Sequence, residues 1–203
     1  MALNDAIIAS PVDLYTGPVS ETQPAVNDNH ATLIAGNWDL IGSQTNQLTQ
    51  DEGGVTFSNT QTVNVIRGAG STAGIKAVRS EEDVMVSIAM IDMTLEVLTI
   101  PLRGAAVTTV NAGAGTIGTK AIPIWRGTQV SEVSVLLRGP SPYLANTNMQ
   151  VWLPRCYVAG DLELVFAKAE AVVVNIEFGV LMDLTQSSPN YLGIVKAQHE
   201  AAL

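Results

Sequence analysis

No lysine or arginine precedes Arg67, and the 203-residue chain holds only ten of them against nineteen Asp and Glu. The net charge of −9 disfavours electrostatic capture of nucleic acid. Seven acids stand before that first cation (Asp5, Asp13, Glu21, Asp28, Asp39, Asp51 and Glu52), as in a solvated acidic arm. Charge of either sign is scarce, at 14% of residues where an ordinary soluble domain has roughly 25%. Such scarcity predicts a surface covered by other subunits; the alternative is a compact monomer with a Thr/Ser/Asn-rich exterior. The single Cys156 excludes an intrachain disulfide framework and fits a reducing compartment. It lies in a strand-like run, as a buried small hydrophobe would. No apolar run reaches the roughly 18 residues of a membrane helix; even AVVVNIEFGVLM is broken by Asn175 and Glu177. The opening MALNDAIIAS has neither a basic region nor a long apolar core, so no secretory signal is expected and synthesis in the cytoplasm is.

What is present reads as β-structure. In Val151–Asp183 three strand-like runs follow one another closely. Val151–Val158 is apolar but broken by Pro154 and Arg155. Asp161–Ala167 alternates, with Leu162, Leu164 and Phe166 on one face, and Val172–Phe178 alternates with Asn175 and Glu177 outward. Short joints at Ala159-Gly160 and Lys168–Ala171 predict an antiparallel meander. Val55–Ile66, Asp83–Met90 and Val130–Arg138 are further strands, and Ser43–Gly54 is a polar loop. At Asp92 the period changes: DMTLEVLTIP suits a helix of about two turns, capped by Asp92 and stopped by Pro101. A second short helix is possible over Ala197–Leu203. Pro11, Pro18 and Pro24 exclude a regular helix before His30 and predict an extended arm over 1–30. A single β-rich domain over 31–196, with Trp38 anchored in its core, and a tail over 197–203 complete the division.

Chemistry-bearing motifs are weak. Gly113-Ala114-Gly115-Thr116-Ile117-Gly118 fits G-x-G-x-x-G. Dinucleotide binding also needs a helix N-terminus after the glycines, and Pro123 and Gly127 stand there instead. The two histidines, His30 and His199, have no nearby cysteine and one carboxylate neighbour each. Glu81-Glu82-Asp83 reads as a solvated turn before a strand. No enzyme activity, metal or cofactor is expected.

The order of parts carries a resemblance. SEEDVMVSIAMID (80–92) is followed by MTLEVLTIPL (93–102), LLRGPSP (136–142), VWLPRCYV (151–158) and EFGVLMD (177–183). This resembles the tail tube, or major tail, proteins of long-tailed bacteriophages and prophages, over roughly Gly36 to Lys196. The resemblance implies a mainly β fold, sandwich- or barrel-like, of two packed antiparallel sheets with one short flanking α-helix. It implies a virion protein, assembled in the host cytoplasm, that forms hexameric rings stacked into a tube. Its partners would be other copies of itself and other tail proteins, with DNA passing through unbound and no membrane involved. Asp161, Glu163, Asn175 and Glu177 are then candidates to line the lumen or meet a neighbouring subunit. Asn46, Asp51, Glu52 and Gly53 are candidates for a ring-stacking loop. The second expectation is a β-sandwich binding module, for carbohydrate or capsid decoration. It would need exposed loop aromatics, for which Trp125, Tyr143, Trp152 and Tyr191 are available.

Overall fold

The computed structural model describes residues 12–42, 50–103, 106–144, 146–166, 168 and 171–200. The fold is mainly β, and every strand pairing is antiparallel. Its strands are β1 (Asp13–Gly17), β2 (Asp39–Leu40), β3 (Gln50–Arg67), β4 (Gly74–Met90), β5 (Thr108–Val110), β6 (Thr119–Ala121), β7 (Glu132–Pro140), β8 (Asn148–Val158), β9 (Val174–Val180) and β10 (Ile194–Ala197). Two short helices, α1 (His30–Ala35) and α2 (Leu95–Leu98), complete the described structure. The main sheet runs β2-β1-β7-β8-β9-β4-β3, with β10 branching from β8, and β5-β6 forms a separate two-stranded sheet.

β8 is the pivot. β7 pairs along one of its edges; β10 takes its first half on the other edge and β9 its last three residues. The sheet curls there, so that Val133, Val135 and Leu137 of β7 share one core with Val86, Ile88 and Met90 of β4 and Val174, Ile176 and Phe178 of β9. α2 lays Val97 and Leu98 into the same core. The other face of β7 and β8 is also covered: Leu136 and Trp152 pack with Tyr15, Leu33 and Trp38, beneath α1. Covering on both faces leaves Val133 to Arg138 of β7 buried in unbroken succession, Ser134 and Arg138 included.

Pro154 and Arg155 do not break β8. The register steps from Val133↔Cys156 to Val135↔Leu153, so the two residues oppose Ser134 alone in a bulge. A proline is tolerated where ladder pairing lapses. Its carbonyl still works, accepting from Ser134 Oγ at 2.8 Å and from Ser20 N at 2.8 Å.

Several expectations are corrected. The meander lacks its middle strand: β8 pairs directly with β9, and residues 161–166 are irregular. Leu162 and Leu164 still pack partly buried on the core, so the alternation reported burial without a ladder partner. The predicted two-turn helix is the four-residue α2, and its N-cap is Thr94; Asp92 instead accepts from Thr94 N at 3.0 Å. A second helix, α1, was not expected. Its cap Asn29 accepts from Thr32 N at 2.9 Å. The acidic run Glu81–Asp83 lies inside β4 and is no turn. Ala197 ends β10 and residues 198–200 are not helical; 201–203 lie outside the described residues.

The proline-rich arm is the largest correction. From Asp13 on it is part of the domain. β1 pairs with β7 over its whole length, and the next segment is held by its carbonyls. Alternate residues of β8 donate to them: Asn148 Nδ2 to Val26, Gln150 Nε2 to Pro24 and Trp152 Nε1 to Glu21, at 2.8 to 3.2 Å. Arg138 of β7 donates to the carbonyls of Ala25 and Asp28. A segment with Pro18 and Pro24 cannot supply a regular row of donors, so side chains from the sheet pair with it instead.

Candidate assembly surface

β3 and β4 form a hairpin of 18 and 17 residues, far longer than the sheet that holds it. β9 pairs with β4 only from Met85 to Met90, and β3 pairs with β4 alone. Every residue of β4 before Val84 is exposed, as is every residue of β3 from Asn59 onward. Among the described residues, ten residues of β4, about 33 Å of extended chain at ~3.3 Å each, therefore pair with no strand but β3. An isolated two-stranded ribbon is marginal in water, and a long unpaired edge invites another chain.

Side chains reinforce the point. Exposed apolar residues gather toward the ribbon's end: Val63, Val65, Ile66, Ile75 and Val78. Between them and the body the ribbon is polar and internally tied. Arg79 donates to Gln61 at 2.8 Å and to Glu82 at 3.2 Å, and Thr62 donates to Glu81 at 3.2 Å. The acidic run is thus accommodated in a strand because neither face is buried there.

Beside the ribbon's base, two sets of sequence candidates come together. Asn175 and Glu177 lie on the outer face of β9, opposite Ala89 and Ser87 of β4. Gly53 belongs to a four-residue bulge, Asp51–Gly54, inserted where the register passes from Gln50↔Met90 to Val55↔Ile88. Gly54 sits at φ 64°, in the left-handed region that glycine adopts freely. The turn-like composition is therefore real, but it makes a bulge within β3 instead of a loop. Gly53, Thr56, Ser87, Ala89, Asn175 and Glu177 line one shallow groove of about 190 Å³. Asp161 and Glu163 are exposed on the connection from β8 to β9. Gly160 is packed against Glu177, where an added Cβ would lie 3.0 Å from the Glu177 Cβ, which brings Asp161 to the same end of β9. Asn46 lies outside the described residues.

A second groove, about 290 Å³, lies on the opposite face of the ribbon's base and is lined chiefly by Phe57, Val84, Val151, Leu153, Leu192 and Ile194. Further apolar side chains are exposed between α2 and β7, at Ile117, Ile124, Trp125 and Val130. Of the aromatics proposed for sugar stacking, Trp125 and Tyr143 are exposed, whereas Trp152 is buried.

Titratable groups serve structure. Burial pushes the Cys156 thiol up, away from the reactive thiolate. Tyr15, pushed up to about 12 by burial and by nearby Asp13, shares a 3.1 Å hydrogen bond with His30. Glu132 and Arg155 form a two-point ion pair across β7 and β8 at 2.7 and 2.8 Å, which holds the Glu132 carboxyl below its usual range. Among the described residues no group of three or more His, Cys, Asp and Glu is arranged to hold a metal, and no helix is long and apolar enough to cross a membrane. The G-x-G-x-x-G run forms the end of the β5–β6 hairpin, closed by the Gly113↔Thr116 bridge, with no helix after it.

Comparison with known protein families and with curated proteins found no match to this chain. The functional reading rests on the sequence pattern and this geometry.

Proposed function

We propose that the protein is a structural subunit that self-assembles into stacked rings forming a phage tail tube, through which the genome passes. The observation that carries the reading is the β3–β4 ribbon, whose outer edges pair with no described strand and whose exposed apolar end projects beyond the rest of the sheet. In a monomer that ribbon is an aggregation hazard; in a closed, repeating assembly it is an interface. The order of sequence elements, which resembles that of tail tube proteins, supports the same reading. Net charge of −9 suits a conduit, because a wall that repels phosphate lets DNA slide without sticking. Asn175, Glu177, Asp161 and Glu163 are the residues proposed to meet a neighbour or face the channel, and the Asp51–Gly54 bulge is proposed to touch the next ring. Negative-stain microscopy with light scattering on the purified chain tests the proposal. Rings or tubes are expected; a monodisperse monomer at high concentration would overturn it and favour a binding module.

A further inference from the structure

We propose that the tip of the β3–β4 ribbon docks head-to-tail on the acidic outer face beside β9 of a second copy of this chain. The inference rests on the assembly reading above and identifies its contacting surfaces. Residues 60–80 contain Arg67, Lys76 and Arg79 and none of the nineteen acids. Subtracting that +3 from the chain's −9 leaves −12 for everything else. The tip is thus a cationic, apolar end on an anionic body, and complementary potentials of this kind steer and orient association. Arg79 is engaged by Glu82 of its own ribbon. The charges without an acidic partner in the ribbon are Arg67 and Lys76, both exposed and set among Val65, Ile66, Ile75 and Val78, with Arg67 also donating to Thr72 O of the tip turn at 2.6 Å.

The receiving surface follows from charge and shape. Glu177 stands in the shallow groove, Asp51 and Glu52 precede it on the bulge, and Asp161 lies at the same end of β9. Gly53, Ser87 and Ala89 keep the groove free of bulk, so another ribbon can approach the sheet closely. The same molecule's tip cannot reach this face, since the ribbon leads away from its own base. Tip-to-tip pairing would set Arg67 and Lys76 of two copies against each other. Unlike surfaces meeting in this way form a heterologous contact that propagates from copy to copy.

Charge reversal on the full-length chain tests the docking, read by sedimentation velocity and microscopy, with circular dichroism as the folding control. Arg67→Glu with Lys76→Glu should raise the concentration needed for assembly about tenfold or more, the equivalent of about 1.4 kcal/mol. Glu52→Lys with Glu177→Lys should do the same, and all four changes in one chain should restore assembly. Lys76→Arg should leave it unchanged. Raising salt from about 0.1 to about 1 M, which cuts the Debye length from ~10 to ~3 Å, should weaken wild-type assembly. Wild-type assembly untouched by either pair of reversals would overturn the docking while leaving the tube reading in place. So would folded four-site variants that fail to reassemble. A wild-type chain that stays monomeric at every concentration would overturn the tube reading and the docking with it. Lost retention on immobilised DNA in the tip variant, with assembly unchanged, would assign the basic tip to nucleic acid instead.

Discussion

Asp183 shows how one side chain joins distant parts of the chain. It is buried at 3% exposure and accepts from Ser20 Oγ at 2.8 Å, Thr185 Oγ1 at 2.7 Å and Gln186 Nε2 at 3.1 Å. Burial alone would push its carboxyl up; the hydrogen bonds from Thr185, Ser20 and Gln186 outweigh it and hold the group at about 2, below its ordinary 3.8. A depressed carboxyl stabilises the fold above its unfolded value, and that stability is lost as pH falls from 3.8 toward 2. Asp183→Asn should therefore cost about 1–3 kcal/mol at neutral pH and flatten the acid limb between pH 4 and 2. Denaturant titrations across that window check it; parallel limbs for the two proteins would contradict the assignment. Cys156, fully buried, has only a weak contact from Sγ to Leu153 O at 3.9 Å. Cys156→Ser should cost about 1–2 kcal/mol in thermal melts, as for a hydroxyl placed in an apolar site, and leave assembly intact. Loss of assembly without loss of stability would mean that the cysteine acts at an interface.

At the scale of elements, the proline-bearing segment after β1 is the most informative. Arg138, buried, holds Asp28 O, Ala25 O and Gln150 Oε1 at once, and burial lowers its pKa. Arg138→Met should leave Asp28 O and Gln150 Oε1 without this donor, while Ala25 O keeps the Asp28 N–H at 3.1 Å. The cost should be about 2–6 kcal/mol, at about 1–3 kcal/mol for each group left unsatisfied. Limited proteolysis with a Glu-specific protease should then cut at Glu21 faster than in the wild type. Removing residues 1–30 should unfold the domain, because it takes out β1 with buried Leu14 and Tyr15. Circular dichroism of the truncated chain reads that outcome. What the sequence made legible here follows from burial. β9 alternates because one face is core and the other open, and Trp38 is the anchor it was expected to be. The docked segment was hidden because its hydrogen bonds come from side chains on a distant strand. The i, i+2, i+4 spacing of Asn148, Gln150 and Trp152 was the only trace of it, and reads equally as a wet face. The ribbon was half visible: Val55–Ile66 reads as a strand, but nothing local says that both of the ribbon's faces are exposed, since that depends on where β9 stops.

For the whole molecule, the question is whether the ribbon belongs to the subunit or to the assembly. Stability of the body resides in the two clusters around β7 and β8 and in the Val84–Met90 end of β4, all short of the ribbon's exposed length. The ribbon itself offers the body no buried side chain beyond Val84. Replacing residues 62–81 with a two-residue Asn-Gly turn, which matches the natural twist of paired strands, should therefore leave the monomer's melting temperature within a few degrees of wild type. Assembly, in contrast, should disappear, because the projecting apolar end and its backbone edges are gone. The full-length chain should melt at higher temperature as its concentration rises, by mass action on an assembled native state, and the shortened chain should not. A shortened chain that still forms rings would place ring closure on the body and restrict the ribbon to contacts between rings. One that neither folds nor assembles would make the ribbon part of the core after all, against the exposure of every residue from Gly74 to Asp83.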